Sequence, residues 1–262
     1  MGFIENNDGA VYMTSPNIQA RHAFTTRFGG VSGGDYASLN LGQSLGDDPG
    51  LVRENYAIIR RALKLRPGSF ACSYQVHGAQ IRIAAFADCG EPPPPPAQAA
   101  DGLITREHGV ALTVFTADCL PILLFDPVQR AIGAVHSGWR GTAADIVGEA
   151  VRKMSREFGC DPADIRAAIG PGISVCCYET GADVADALRL TLGESVENCI
   201  TARGEKYMAD LKEANRILLE RAGLLDIEVS DECTSCRCDK YWSHRRTKGR
   251  RGSQAAIIAL ER

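Results

Sequence analysis

The stretch from Thr116 to Gly141 constrains this chain more than any other. Two apolar runs, Pro121–Phe125 and Ala131–Val135, are short enough for buried strands, and Asp126-Pro127 between them signals a turn. A hairpin with Pro127 and Val128 at its tip pairs residues whose numbers sum to 255, setting Gln129 opposite Asp126, Ile132 opposite Leu123 and His136 opposite Cys119. Directly opposed residues have Cβ atoms about 5 Å apart, close enough for a thiol and an imidazole to share a metal or a proton. A buried cysteine beside a satisfied histidine is the plainer alternative.

At 262 residues the chain can bury a full core, and we expect one domain over 1–262. A formal charge of -3 argues against a general nucleic-acid binder and leaves small molecules as the expected partners. The opening Met1–Asp8 has no basic segment or signal-length apolar core, and nowhere does an uncharged run reach membrane-spanning length. We therefore expect a cytoplasmic protein without a membrane partner. In that compartment the ten cysteines stay as thiols, each a candidate for packing, metal or catalysis.

Thr25–Gly42 is dense in glycine and carries Arg27, a composition that suits a loop wrapped around a bound anion as well as a simple turn. Asp47-Asp48-Pro49 starts a helix with Val52, Asn55, Tyr56, Ile59, Ala62 and Leu63 on one face, closed by Pro67-Gly68. Ala71–Ala85 reads as strand interrupted at Gln75-Val76-His77-Gly78, which points His77 into a site. Pro92–Pro96 reads as a surface loop, and Asp101–Thr105 and Val110–Phe115 as further strands. After the hairpin, Thr142–Asp145 resembles a capping box for a helix ending at Gly159, which would bring Arg140 near Cys119 and His136 as part of an anion pocket.

A strand over 165–169, helices over 183–192 and from Asp210, and strands near Ile227 and over 255–260 complete the reading. Cys176-Cys177 defaults to packing, and Cys233-x2-Cys236-x-Cys238 lacks a second half at finger-like distance, so free thiols are expected. The basic run Lys240–Arg251, with Tyr241 and Trp242, reads as a solvated face that could also grip a phosphate or stack a base.

His77, Cys119 and His136 offer two nitrogens and a sulfur, donors that suit zinc with a fourth position open. Such an ion holds Cys119 as thiolate and acidifies water towards a pKa of ~7. Arg27 and Arg140 could orient an anionic group. A metal-free alternative keeps Cys119 as nucleophile and His136 as base, with Asp118 or Asp126 as the orienting acid if either turns inward. A multicopper oxidase needs many imidazoles, and this chain has five His, at 22, 77, 108, 136 and 244. A single copper could still displace zinc and give weak oxidase activity.

In order along the chain, Thr26-Arg27-x-Gly-Gly-Val-Ser32, Ser38-Leu-Asn-Leu-Gly42, Gln75-Val-His-Gly78, Ala100-Asp-Gly-Leu-Ile-Thr105, Thr116-Ala-Asp-Cys119, His136-x-Gly-Trp-Arg-Gly141, Ile169-Gly-Pro171, Tyr178-Glu179 and Ser243-x-Arg-Arg246 resemble the YfiH family of purine nucleoside phosphorylases, also described as laccase-domain proteins. The resemblance covers nearly the whole chain. It implies an α/β (α+β) fold of two packed mixed sheets flanked by helices, and one zinc held by His77, Cys119 and His136. It also implies phosphorolysis of adenosine, inosine and methylthioadenosine, with adenosine deaminase activity in the same site. Arg27, Asn40, Gln75, Asp118, Arg140 and Arg245 are then expected around nucleoside and phosphate. A further family role, amidase-type editing of peptidoglycan precursors, would use the same centre. Ser137, Tyr56, His244, Cys236 and Cys238 depart from the family pattern, and Tyr56 and His244 are expected at the pocket rim.

Overall fold

Every residue of strand Leu120–Asp126 is buried, which requires cover on both faces of its sheet. Leu120, Ile122 and Leu124 join a core shared with helices, whereas Leu123 and Phe125 join a core shared with a second sheet. The strict alternation of a strand thus serves two separate apolar layers.

The computed structural model describes residues 2–94 and 98–260. One six-stranded sheet runs in the order Ile4–Asn7, Val11–Thr14, Arg21–Thr25, Gln254–Ala259, Ala111–Thr116, Phe70–Ala71. The other runs Asp226–Val229, Arg166–Ile169, Leu120–Asp126, Ala131–Ser137, Gly102–Thr105, Ile81–Ile83. Each mixes antiparallel pairs with parallel ones at its edges. Phe24, Leu112, Val114 and Ile258 of the first sheet meet Leu103, Leu123, Ile132 and Ala168 of the second. Helix Pro49–Ala62 covers the outer face of the first sheet, and helices Ile146–Phe158 and Leu211–Arg221 cover that of the second. This is the α/β architecture of two packed mixed sheets flanked by helices, with a small third sheet of Glu179–Thr180, Lys206–Ala209 and Ile200–Arg203 added. Among the described residues no helix is long and apolar enough to cross a membrane.

The helix starts follow their caps. Asp48 accepts hydrogen bonds from the Gly50 and Leu51 amides, and Asp210 accepts one from the Glu213 amide. The segment after the hairpin departs from expectation. A short helix, Trp139–Ala143, ends before Asp145, and Asp145 rather than Thr142 caps Ile146–Phe158, accepting from the Gly148 amide. Thr142 instead donates to the Gly138 carbonyl. Ala71–Ala85 is two short strands in different sheets, Phe70–Ala71 and Ile81–Ile83, with the His77 loop between them. The proline run Pro92–Pro96 lies partly outside the described residues.

The hairpin register also needs correcting. Asp126 pairs with Ala131, Pro121 with His136 and Leu120 with Ser137, so the tip is the four residues 127–130. A two-residue tip would need positive φ, which Pro127 cannot adopt. Asp126 Oδ1 instead accepts from the Val128 and Gln129 amides at 2.8 and 2.9 Å, and Arg130 takes the left-handed turn at φ 50°.

Tyr56, expected at the pocket rim, is fully buried. Its hydroxyl donates to the Leu41 carbonyl at 2.9 Å and its ring meets Phe70 edge-on. Truncating Leu123 to Ala should cost about 2–5 kcal/mol in denaturant unfolding, because neither sheet can collapse into the space left. A loss well below that range would show that the sheets are not close-packed there.

Candidate metal centre

Cys119 lies just before strand Leu120–Asp126, and His136 lies near the end of its hairpin partner. In the observed register Cys119 is two residues along from Pro121, the partner of His136, so both side chains leave the same face on a diagonal. His77 arrives from the loop between the two sheets, in a left-handed conformation at φ 60°. The ligand atoms of His77, Cys119 and His136 all lie within 4.8 Å of one another, and the two imidazoles meet edge-to-face at 4.9 Å. Gly138 roofs the trio. A Cβ there would stand 3.1 Å from His77 Cδ2 and 3.2 Å from Cys119 Sγ.

One carboxylate organises the ligands. Asp101 is fully buried; its Oδ1 accepts from the His77 amide at 2.9 Å and from His136 Nδ1 at 2.8 Å, and its Oδ2 accepts from the Val76 and Gly78 amides at 3.1 and 2.8 Å. With Nδ1 bound to Asp101, His136 turns Nε2 towards Cys119. Burial opposes ionisation of the Cys119 thiol, but the charge and hydrogen bond of His136, joined by the bond from His77, draw it below its ordinary value. Burial likewise opposes charge on His136, yet Cys119 and Asp101 hold its imidazole above the usual range. These donors fit a zinc ion: one thiolate, two imidazoles, and a carboxylate behind one imidazole to fix its orientation.

The trio opens into a cavity of about 800 Å³. Gln75, Asp118 and Arg245 line it, as do Tyr178, His244 and Arg251. The Gln75 amide is spent on the backbone of Phe115, accepting at 2.7 Å and donating at 2.8 Å, and so fixes the His77 loop. Asp118 accepts from Thr234 Oγ1 at 2.7 Å and from the Arg245 amide at 2.6 Å. The Arg245 guanidinium donates to the carbonyls of Cys177 and Glu179 at 3.1 and 3.0 Å.

Three expected residues lie outside the cavity lining. Arg27 stacks on Trp242 at 4.1 Å and donates to the carbonyls of Ala37 and Cys238, tying the glycine-rich loop to the C-terminal segment. Within that loop the backbone packs closely on itself, for a Cβ at Gly30 would lie 2.3 Å from the Ser38 carbonyl. Asn40 is fully buried, bonding the Gly42 and Ser253 amides and the Asp47 carboxylate. Arg140 is exposed and stacked on Trp139 at 4.3 Å.

Sequence reasoning overlooked two groups. Asp101 sits in a segment that gave no sign of its role, because its four partners come from residues 76–78 and 136. Arg251 was hidden in a basic run. Its Nη1 donates to Gly252 O and Ser253 Oγ at 2.9 and 3.0 Å, while its Nε is buried without a partner among the described residues. Burial lowers its pKa, against the pull of Asp118 and Cys119.

The family described as multi-copper polyphenol oxidoreductase laccase matches residues 21–261. A purine nucleoside phosphorylase of Deinococcus radiodurans is 43% identical over 255 residues, covering 97% of this chain and 94% of the relative. The crystal structure of YlmD from Geobacillus stearothermophilus superposes with a TM-score of 0.93 at 36% identity, covering 99% of each chain. That of the hypothetical protein YfiH from Bacillus licheniformis gives 0.92 at 33% identity, again over 99% of each.

Replacing Asp101 with Asn removes the charge and one of the two acceptor oxygens behind the ligands. Zinc affinity, measured by competition with a chromophoric chelator, should fall about 10- to 100-fold. Unchanged affinity would mean that the trio needs no such support.

Proposed function

This chain belongs to the multi-copper polyphenol oxidoreductase laccase family, and on that premise we propose that it is a cytoplasmic, zinc-dependent purine nucleoside phosphorylase, active on adenosine, inosine and methylthioadenosine, with adenosine deamination in the same cavity. The name of the Deinococcus relative supports the reaction class. The observation that carries the reading is a His77–Cys119–His136 centre on one wall of the cavity, with Arg251 and Arg245 lining the same space.

Phosphorolysis forms a bond from a phosphate oxygen to C1′ of the ribose while the C1′–N9 bond breaks, and the purine leaves with the electron pair and takes up a proton. Phosphate must first be stripped of water and held. Arg251 offers a guanidinium on the cavity wall, and Arg245, fixed by two carbonyls, adds a second positive charge there. Ile173, Phe115 and Leu45 supply apolar surface for the base. Tyr178 lines the same cavity; burial and the neighbouring Cys119 raise its phenol, so it remains a donor. Among the described residues, His244 is the cavity imidazole outside the ligand set, and we assign it the proton that the purine takes up. When bound, zinc would supply Lewis acidity beside these groups. Deamination replaces phosphate with water, which adds at C6 of adenosine and expels ammonia.

A second reading has a specific observation behind it. Cys119, His136 and Asp101 form the thiol, imidazole and carboxylate sequence of a metal-free hydrolase, with Asp101 rather than Asp118 or Asp126 as the orienting acid. His77 favours the metal, because a nucleophile and base have no use for a second imidazole aimed at the same sulfur. A three-copper cluster lacks its ligands, since His22 is bonded to the Ser15 amide and Ala20 carbonyl and His108 is exposed, neither lining the cavity. Single-copper oxidation and amidase action on peptidoglycan precursors share the trio and are separated by substrate.

Zinc-loaded protein should convert inosine to hypoxanthine and ribose 1-phosphate only when phosphate is present, and chelation should abolish turnover. Arg251→Ala should raise the KM for phosphate roughly 10- to 100-fold, the loss of about 1.5–3 kcal/mol for a charged hydrogen bond. Inosine consumption indifferent to phosphate would contradict the proposal. Activity that survives chelation but not thiol alkylation would favour the cysteine hydrolase.

A further inference from the structure

Two distant segments bring four thiols to one point on the surface. Cys176 and Cys177 follow the turn at Gly170–Ile173, and Cys233 and Cys236 lie in the loop after strand Asp226–Val229. Their sulfurs all lie within 4.8 Å of one another. Cys176 and Cys177 are 3.8 Å apart, Cys176 and Cys236 3.6 Å, and Cys177 and Cys236 3.4 Å. A tetrahedral ion with four sulfurs at about 2.3 Å spaces those sulfurs about 3.8 Å from each other. The thiols therefore already stand near the edge length of that tetrahedron.

Cys176, expected to pack, is exposed and Cys177 is half-buried, while Cys233, Cys236 and Cys238 are free thiols as expected. The missing half of the tail motif is Cys176-Cys177, and backbone pairing rather than sequence spacing delivers it: the Thr234 amide donates to the Gly172 carbonyl at 3.1 Å, and Gly172 bridges to Cys233. Cys238 stays outside the cluster. The Ser174 amide donates to Cys233 Sγ at 3.3 Å, the kind of outer bond that steadies a thiolate ligand. Lys212, buried and donating to the carbonyls of Ser230 and Glu232 at 2.7 and 2.8 Å, places a positive charge beside this loop.

We propose that Cys176, Cys177, Cys233 and Cys236 bind a structural zinc ion, distinct from the centre at His77, Cys119 and His136. Four protein ligands leave no open position, so the site holds structure rather than substrate. What it holds is the cavity wall. Arg245 hangs from the carbonyls of Cys177 and Glu179, and Thr234, between the two tail ligands, bonds Asp118.

The test counts zinc on the Cys119→Ala variant, which lacks a ligand of the other centre, so failure of the nucleoside reading leaves this result untouched. Zinc-replete Cys119→Ala should retain one ion per chain, and its cobalt-substituted form should show a thiolate-to-cobalt charge-transfer band. Adding Cys236→Ser should abolish both and lower the Tm. In the unmutated protein, zinc should shield the exposed Cys176 and Cys236 from iodoacetamide until a chelator is added, an outcome that needs no variant to fold. Alkylation of both in folded, zinc-replete protein would overturn the proposal. So would a chain lighter by two hydrogens with a disulfide among the four, or bound iron with sulfide in place of zinc.

Discussion

The candidate centre depends on one buried carboxylate. Asp101 gathers three successive amides of the His77 loop and the Nδ1 of His136, so a single side chain sets where two of the three ligands stand. Burial disfavours its charge, but the bond to His136 and the amides outweigh it and hold the pKa below the ordinary carboxylate value. A depressed carboxylate stabilises the fold above its unfolded pKa, and this contribution disappears as pH falls through the folded value. Near neutrality the anchor is intact, and it restrains an otherwise exposed loop that carries a left-handed histidine.

Everything around the anchor is built to be stiff. The hairpin that supplies Cys119 and His136 lies at the middle of a six-stranded sheet, with a second sheet on one face and helices on the other. Ligands at strand ends inherit that rigidity, while the remaining cavity wall comes from loops. The C-terminal segment crosses back to complete the wall with His244, Arg245 and Arg251, and the Arg27 stack on Trp242 holds that segment against the glycine-rich loop.

How much of this was legible in the sequence varied with the range of the interaction. The hairpin, the helices capped by Asp48 and Asp210 and the meeting of His77, Cys119 and His136 were readable because each announces itself within a short window or an ordered set of motifs. The register was misread by two residues, since Asp126 binds two amides of the turn and lengthens the tip. The trio survived because a shift of two keeps a side chain on its face, where a shift of one would have reversed it. Arg27 looked like an anion contact from its neighbours in sequence, but two carbonyls and the Trp242 ring take it up. The role of Asp101 and the meeting of Cys176-Cys177 with Cys233 and Cys236 were not readable for the opposite reason, as their partners lie far away in the chain.

The account stands on one ion shared by two imidazoles and a thiolate. Anomalous diffraction at the zinc edge from crystals grown with zinc tests this most directly. It should show a peak bonded to His77 and His136 nitrogens at about 2.0–2.1 Å and to Cys119 Sγ at about 2.3 Å, with a fourth position facing the cavity. No peak between these residues, or a peak that leaves any one of the three unbonded, would contradict it.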